Sequence, residues 1–211
     1  MNNENFLSID KDASISFVVN KSEFIGHIFY VETAKEAENY ILEINEKYKD
    51  ATHNCYAYVI GKEKSIQKYS DDGEPSGTAG IPMLEVLKKK EVTNCLVIAT
   101  RYFGGILLGA GGLVRAYTKT VVESLNEGVI VKKEKFFEIE IFLDYVFLGK
   151  VENILNKFKL EIKNIEYLEN VKVNLFVKKS EFEYLEKILI NETANNCKLF
   201  VVDEMYKSVF I

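Results

Sequence analysis

The chain has 211 residues, 47% of them hydrophobic, only 2 Pro and a formal charge of −5. That composition argues for a folded protein rather than a disordered one, and the length suits one large or two small domains. Residues 1–134 carry 16 basic and 19 acidic side chains and residues 135–211 carry 11 and 13. Neither half is a basic nucleic-acid-binding domain, so any contact with nucleic acid has to come from a local patch.

Met1 to Asp12 lacks the apolar stretch of a signal peptide, and no apolar run reaches transmembrane length. Cys55, Cys95 and Cys197 are odd in number, widely spaced and set in apolar runs, as buried thiols of a reducing compartment are. A cytoplasmic location is expected.

In chain order, Ser14–Asn20 and Glu23–Val31 read as strands joined at Asn20-Lys21. Thr33 with Glu36 makes a capping box for a helix to Lys49, whose apolar stripe is Ala37, Tyr40, Ile41, Ile44 and Tyr48. Cys55–Ile60 and Ser65–Tyr69 form a hairpin through Gly61, and Ser70–Gly80 is a loop. Pro82 suits the first turn of a short helix ending at Lys88-Lys89-Lys90. Asn94–Thr100 is a continuous apolar strand of the kind buried on both faces. Arg101–Gly112 is a second glycine-rich loop, followed by a helix over Leu113–Asn126 that stops near Gly128.

Beyond the charged run Lys132–Lys135 the glycines thin out. A strand over Phe136–Leu143, a helix over Tyr145–Phe158 and strands over Leu160–Leu168 and Val171–Lys178 follow. Ser180 with Glu183 then reads as a capping box opening a helix to Ile190, and Leu199–Val202 begins a last strand. This β-α-β-β-α-β order is ferredoxin-like. The expected organisation is an α+β protein with domains 1–134 and 135–211.

Three uneven distributions converge on Asp71 to Arg115. Eight of the 12 Gly lie between Gly73 and Gly112, as do both Pro residues, Pro75 and Pro82. Of 27 basic residues only two are arginine, Arg101 and Arg115, and both flank the second loop. A guanidinium grips phosphate or carboxylate in two-point geometry that lysine does not offer. Gly104, Gly105, Gly109, Gly111 and Gly112 leave backbone N–H groups free to turn toward one point beside a helix start, which makes an anion site. Tight helix-on-strand packing selects glycine as well. Tyr102 and Phe103 offer stacking faces.

The first loop gathers Asp71, Asp72, Glu74, Ser76 and Thr78. Its three carboxylates offer a site for Mg²⁺, although a network of arginine and carboxylate shaping the groove is favoured over a metal and the residue types are those of ordinary turns. His53 precedes a strand and can reach the groove; Lys21 can add charge at its edge. No nucleophile–base pair stands out, and no catalytic residue or resident cofactor is assigned.

Taken together, Lys21–Ile25, Ala51–Cys55, Ser70–Pro82 and Thr100–Tyr117 resemble the YigZ/Impact family, with Leu108 and Ala110 as mild variants. The resemblance implies an N-terminal β-α-β domain of the type seen in a ribosomal protein and in translocating elongation factors, followed by a ferredoxin-like domain. It also implies a role in regulating translation under stress, because eukaryotic relatives interfere with activation of an initiation-factor kinase. The expected partner is RNA or a ribosome-associated protein. A phosphate-bearing small molecule, as substrate or signal, and a purely protein-binding groove remain as alternatives.

Overall fold

The computed structural model describes residues 5–211; of the N-terminal stretch considered above, residues 1–4 lie outside the described residues. The chain falls into two compact units, one ending at Lys133 and joined by Ser208–Ile211, the other Glu134–Lys207.

The first unit is built on a five-stranded antiparallel sheet, β2 (Ala13–Val19), β3 (Ser22–Tyr30), β4 (His53–Ile60), β5 (Ile66–Ser70) and β6 (Cys95–Tyr102), in the order β2-β3-β6-β4-β5. The β2–β3 hairpin turns on Asn20 and Lys21, both at positive φ (46° and 64°), as a two-residue turn matched to strand twist requires. Between β3 and β4 runs helix α1 (Ala34–Lys47), capped as expected by Thr33 Oγ1, which accepts from the Glu36 N–H at 3.2 Å. Because β3 and β4 are each antiparallel to β6, they run parallel to one another with β6 between them, a split β-α-β unit.

β6 lies at the centre of the sheet and is buried on both faces, as its unbroken apolar run predicts. Cys95, Val97 and Ala99 pack with Met83 and Leu87 of α2 (Gly80–Lys89) and with Tyr117, Val121 and Leu125 of α3 (Gly109–Gly128). Leu96 and Ile98 face the other way, toward Ala37 and Ile44 of α1. The period-two side-chain alternation of a strand thus serves two separate hydrophobic layers. All three cysteines are free and buried.

Two boundaries differ from expectation. Helix α3 begins at Gly109, not Leu113, so Gly109–Gly112 belong to its first turn, and the loop itself is only Phe103 to Leu108. Glycine's poor helix propensity, about 1 kcal/mol per residue against alanine, is outweighed by packing of the rest of the helix on the sheet. A strand unforeseen in the sequence, β1 (Phe6–Ile9), pairs antiparallel with residues Ile130–Lys133 at the start of β7 (Ile130–Leu143).

The second unit contains β7 from Glu134 onward, β8 (Ile162–Tyr167), β9 (Val171–Lys178), β10 (Cys197–Phe210) as far as Lys207, α4 (Leu148–Lys157) and α5 (Lys179–Glu192). β9 pairs with both β7 and β8, and β10 pairs with β7, which gives the ferredoxin-like order β10-β7-β9-β8. Ile139, Ile141, Val173 and Leu175 of the sheet pack against Val151, Leu155, Leu185 and Leu189 of the two helices. The Ser180–Glu183 capping box does not form. β9 runs directly into α5, which begins at Lys179 without a side-chain cap and leaves Ser180 inside its first turn.

Candidate functional site

The acidic loop is organised by Asp71. Its Oδ1 accepts from the N–H groups of Ala79 (3.0 Å) and Gly80 (2.8 Å), and its Oδ2 from Gly77 (2.9 Å). These bonds satisfy the first N–H groups of α2, whose own cap residue, Ala79, has no side chain to do so. Asp72 turns elsewhere: its Oδ2 accepts from the Asn54 N–H at 2.6 Å and its carbonyl from His53 Nδ1 at 2.7 Å. Thr78 Oγ1 donates to the Pro75 carbonyl at 2.7 Å, and Ser76 is exposed. The three carboxylates therefore serve three different neighbourhoods. Among the described residues no group of three or more His, Cys, Asp or Glu side chains is placed to hold a metal.

Glu74 points inward to meet Arg101. Arg101 is only 5% exposed, and its Nη1 donates to Glu74 Oε1 at 2.6 Å while Nη2 donates to Ser22 Oγ at 3.3 Å. The strand register explains the placement, since Arg101 stands opposite His53 on β4 and opposite Phe24 on β3. Its guanidinium lies 5.5 Å from the ring centroids of both Phe24 and Phe103, within cation–π range. Tyr117, on α3, donates its hydroxyl to the same Glu74 Oε1 at 2.7 Å. Burial, reinforced by Cys55 and Glu74, pushes that hydroxyl's pKa well above the usual tyrosine range. The Cys55 thiol, likewise raised by burial to about 12, stays protonated at neutral pH and donates to the Asp71 carbonyl at 3.0 Å. It is not a thiolate nucleophile.

His53 closes this cluster at the surface. Its Nδ1 donates to the Asp72 carbonyl at 2.7 Å, and its Nε2 lies 3.9 Å from Glu74 Oε1.

The loop Phe103–Leu108 is fixed at its start. The Phe103 N–H donates to Thr52 Oγ1 at 2.9 Å and the Gly104 N–H to Ser22 Oγ at 3.3 Å. Gly104 sits so close to the β2–β3 turn that a Cβ there would lie 2.0 Å from the Lys21 carbonyl; backbone-on-backbone approach, not ligand contact, demands glycine at this position. Lys21 itself is exposed. Farther along, Phe103, Ile106 and Leu107 project into solvent, Leu107 at 85% exposure.

Two hollows flank Leu108. The larger, about 350 Å³, is walled by Pro75, Phe103, Leu107, Leu108, Ala110 and Leu113, with His53, Glu74 and Arg101 also lining it. The smaller, about 180 Å³, is lined by Val19, Asn20, Gly112, Arg115, Ala116 and Lys119 as well as Leu108.

The two arginines thus have different settings. Arg101 is an internal ion-pair partner, whereas Arg115 is exposed, its Nη1 lying 3.7 Å from where a Cβ of Gly111 would stand. Gly105 (φ 81°), in the loop, and Gly109 (φ 69°), at the start of α3, both have positive φ, and Gly112 packs against Leu108. The Tyr102 hydroxyl donates to Asp50 Oδ1 at 2.9 Å. Sequence reasoning missed Ser22, Thr52, Tyr117 and Lys119, all of which contact the expected residues or line the hollows. Ser22, Thr52 and Tyr117 lie within the family-like segments, but only strand register and helix phase show what they touch; Lys119 carries no local signal.

Comparison with known proteins places this geometry. Residues 20–125 match the Impact N-terminal domain, and residues 141–196 match a domain of unknown function, DUF1949. The chain is 46% identical over 176 residues to the IMPACT family member YvyE of Bacillus subtilis (strain 168), covering 83% of this chain and 81% of that protein. It is 30% identical over 188 residues to the IMPACT family member YigZ of Escherichia coli (strain K12), covering 88% and 92%. Protein IMPACT of Homo sapiens is 35% identical over 103 residues, 46% of this chain and 32% of that protein. A solved structure, described as the crystal structure of an hypothetical protein, superposes with a TM-score of 0.61 at 28% identity and covers 95% of this chain and 98% of its own. With one domain model matching residues 20–125 and relatives in two bacteria covered over 81% and 92% of their lengths, the chain belongs to the Impact family.

Proposed function

We propose that this protein is a translation-associated regulator that binds a ribosome-bound partner through the groove around Phe103–Leu108. The observation that carries the reading is a loop anchored through Phe103 and Gly104 to Thr52 and Ser22 that nevertheless displays Phe103, Ile106 and Leu107 to solvent. A preorganised, exposed apolar segment beside a concave wall is what binding surfaces have and ordinary loops lack. Membership of the Impact family supports the link to translation. A second reading, contact with RNA, is favoured by Lys21, Arg115 and Lys119, three exposed cations around the β2–β3 turn and α3.

The test is co-sedimentation with ribosomes on gradients at low and moderate salt, comparing wild type with Leu107→Ser/Arg115→Glu. Both side chains are exposed, so the variant keeps its fold. Loss of the variant from ribosomal fractions supports the reading; equal sedimentation of the two, or of neither, refutes it. Replacing Arg101 would confound binding with stability, because its guanidinium is paired with the buried Glu74.

A further inference from the structure

We infer that the two hollows beside Leu108 form one bipartite site for a protein segment that carries a large apolar side chain and, within a few residues of it, one or two carboxylates. This inference rests on the partner-binding reading above and names the partner's chemistry.

The first hollow supplies the apolar half. At about 350 Å³ it falls at the lower end of the ~300–1,000 Å³ of ligand pockets, enough for one bulky side chain and its flanking backbone. Leu107, Leu108, Leu113, Ala110 and Pro75 make its wall aliphatic. His53, fixed by its Nδ1 bond to the Asp72 carbonyl, adds a polar edge to this wall.

Charge complementarity supplies the second half. The smaller hollow has Arg115 and Lys119 in its lining and no carboxylate. Neither cation has an ion pair among the described residues, and Lys119 Nζ rests 4.3 Å from the ring centroid of Phe17. In a chain of net charge −5, a wall of two exposed cations without a counter-ion is locally unusual. Leu108 lines both hollows, so a segment filling one passes directly to the other.

The same features disfavour single-stranded RNA as the occupant. RNA needs aromatic faces and a run of cations along its backbone. Here the single exposed ring at the hollow, Phe103, already has the Arg101 guanidinium near it, and the larger wall is aliphatic.

The experiment selects a phage-displayed random dodecapeptide library on the full chain. The wild-type pool is expected to enrich a Leu, Phe or Met near one or two Asp or Glu. A synthetic peptide from that pool, measured by fluorescence polarisation, should lose about tenfold or more in affinity for Ala110→Trp, which fills the larger hollow. It should lose a similar factor for Arg115→Glu/Lys119→Glu and regain it when its own acidic residues are changed to Lys. Both variants alter exposed positions, and thermal melting confirms their fold.

A pool without that pattern overturns the proposal, as does a selected peptide indifferent to both variants. A labelled 12-nucleotide oligouridine that binds wild type, weakens steeply with salt and is lost on charge reversal assigns the groove to RNA and also overturns it. Ribosome association that persists while peptide selection fails removes only this inference and leaves the translation reading standing.

Discussion

The deepest test of the interior is Arg101→Ala. Glu74, whose side chain is 2% exposed, would lose its cationic partner at 2.6 Å and keep the Tyr117 hydroxyl alone at short range. Breaking one side of a buried ion pair costs about 3–5 kcal/mol, because the remaining charge is stranded. The guanidinium also gives up its contacts with Phe24 and Phe103, each worth ~0.5–2 kcal/mol. These contributions share the same side chain and do not add in full, so about 4 kcal/mol is the expected loss. At ~2–4 °C per kcal/mol this lowers the melting point of the first unit by about 8–16 °C. Differential scanning calorimetry reads the midpoint, and hydrogen exchange of the β6 amides assigns it to that unit. Glu74→Gln should cost a comparable amount, whereas Glu74→Gln/Arg101→Met, which removes both charges, should recover most of the loss. A midpoint for Arg101→Ala within about 3 °C of wild type, or strictly additive losses in the double variant, would refute the buried-pair argument. If the midpoint falls as expected, a fall in partner binding by Arg101→Ala reports lost structure together with any lost contact at the hollow that Arg101 lines.

Two further outcomes follow from single side chains. Asp71→Ala removes the acceptor of three backbone N–H groups; with hydrogen bonds to charged groups worth ~1.5–3 kcal/mol each and partial replacement by water, a net loss of about 2–3 kcal/mol is expected. Asp71→Asn should lose less, and urea midpoints indistinguishable among the three proteins would show that the carboxylate does not hold the loop. His27 is 2% exposed, its Nδ1 is 3.0 Å from Ser14 Oγ and its Nε2 is buried without a partner. Burial, with a smaller push from Lys47, depresses its pKa from 6.5 to about 4. The folded state therefore refuses a proton that the unfolded chain accepts, so stability is complete above pH 6.5 and falls as pH drops toward 4, by about 3 kcal/mol at 1.36 kcal/mol per unit. His27→Gln should flatten the stability profile between pH 6.5 and 4.5; an unchanged slope there would show that another group sets it.

Much of the fold was determined locally. The Asn20-Lys21 turn needs two residues at positive φ, the Thr33 cap needs a hydroxyl three residues before an N–H, and β6 needs an unbroken apolar run to be buried twice. Each of these is a short-range property of the chain, so the sequence displays it directly. The helix start at Gly109 and the missing cap at Ser180 were not legible for the opposite reason: tertiary packing overrode a local preference of about 1 kcal/mol or less.

The candidate site divides along the same line. Composition alone singled out Asp71 to Arg115, since glycine, proline and arginine cluster there in a lysine-rich chain. Composition did not say that Arg101 would face inward and Arg115 outward. That was decided by the β4–β6 register, which sets Arg101 beside His53, and by the approach of Glu74 from 27 residues away. Two guanidinium groups of identical chemistry thereby acquire different settings, one neutralised in the core and one exposed to solvent. Charge and geometry in a folded chain depend on contacts between distant residues, and a linear sequence holds the participants without their distances.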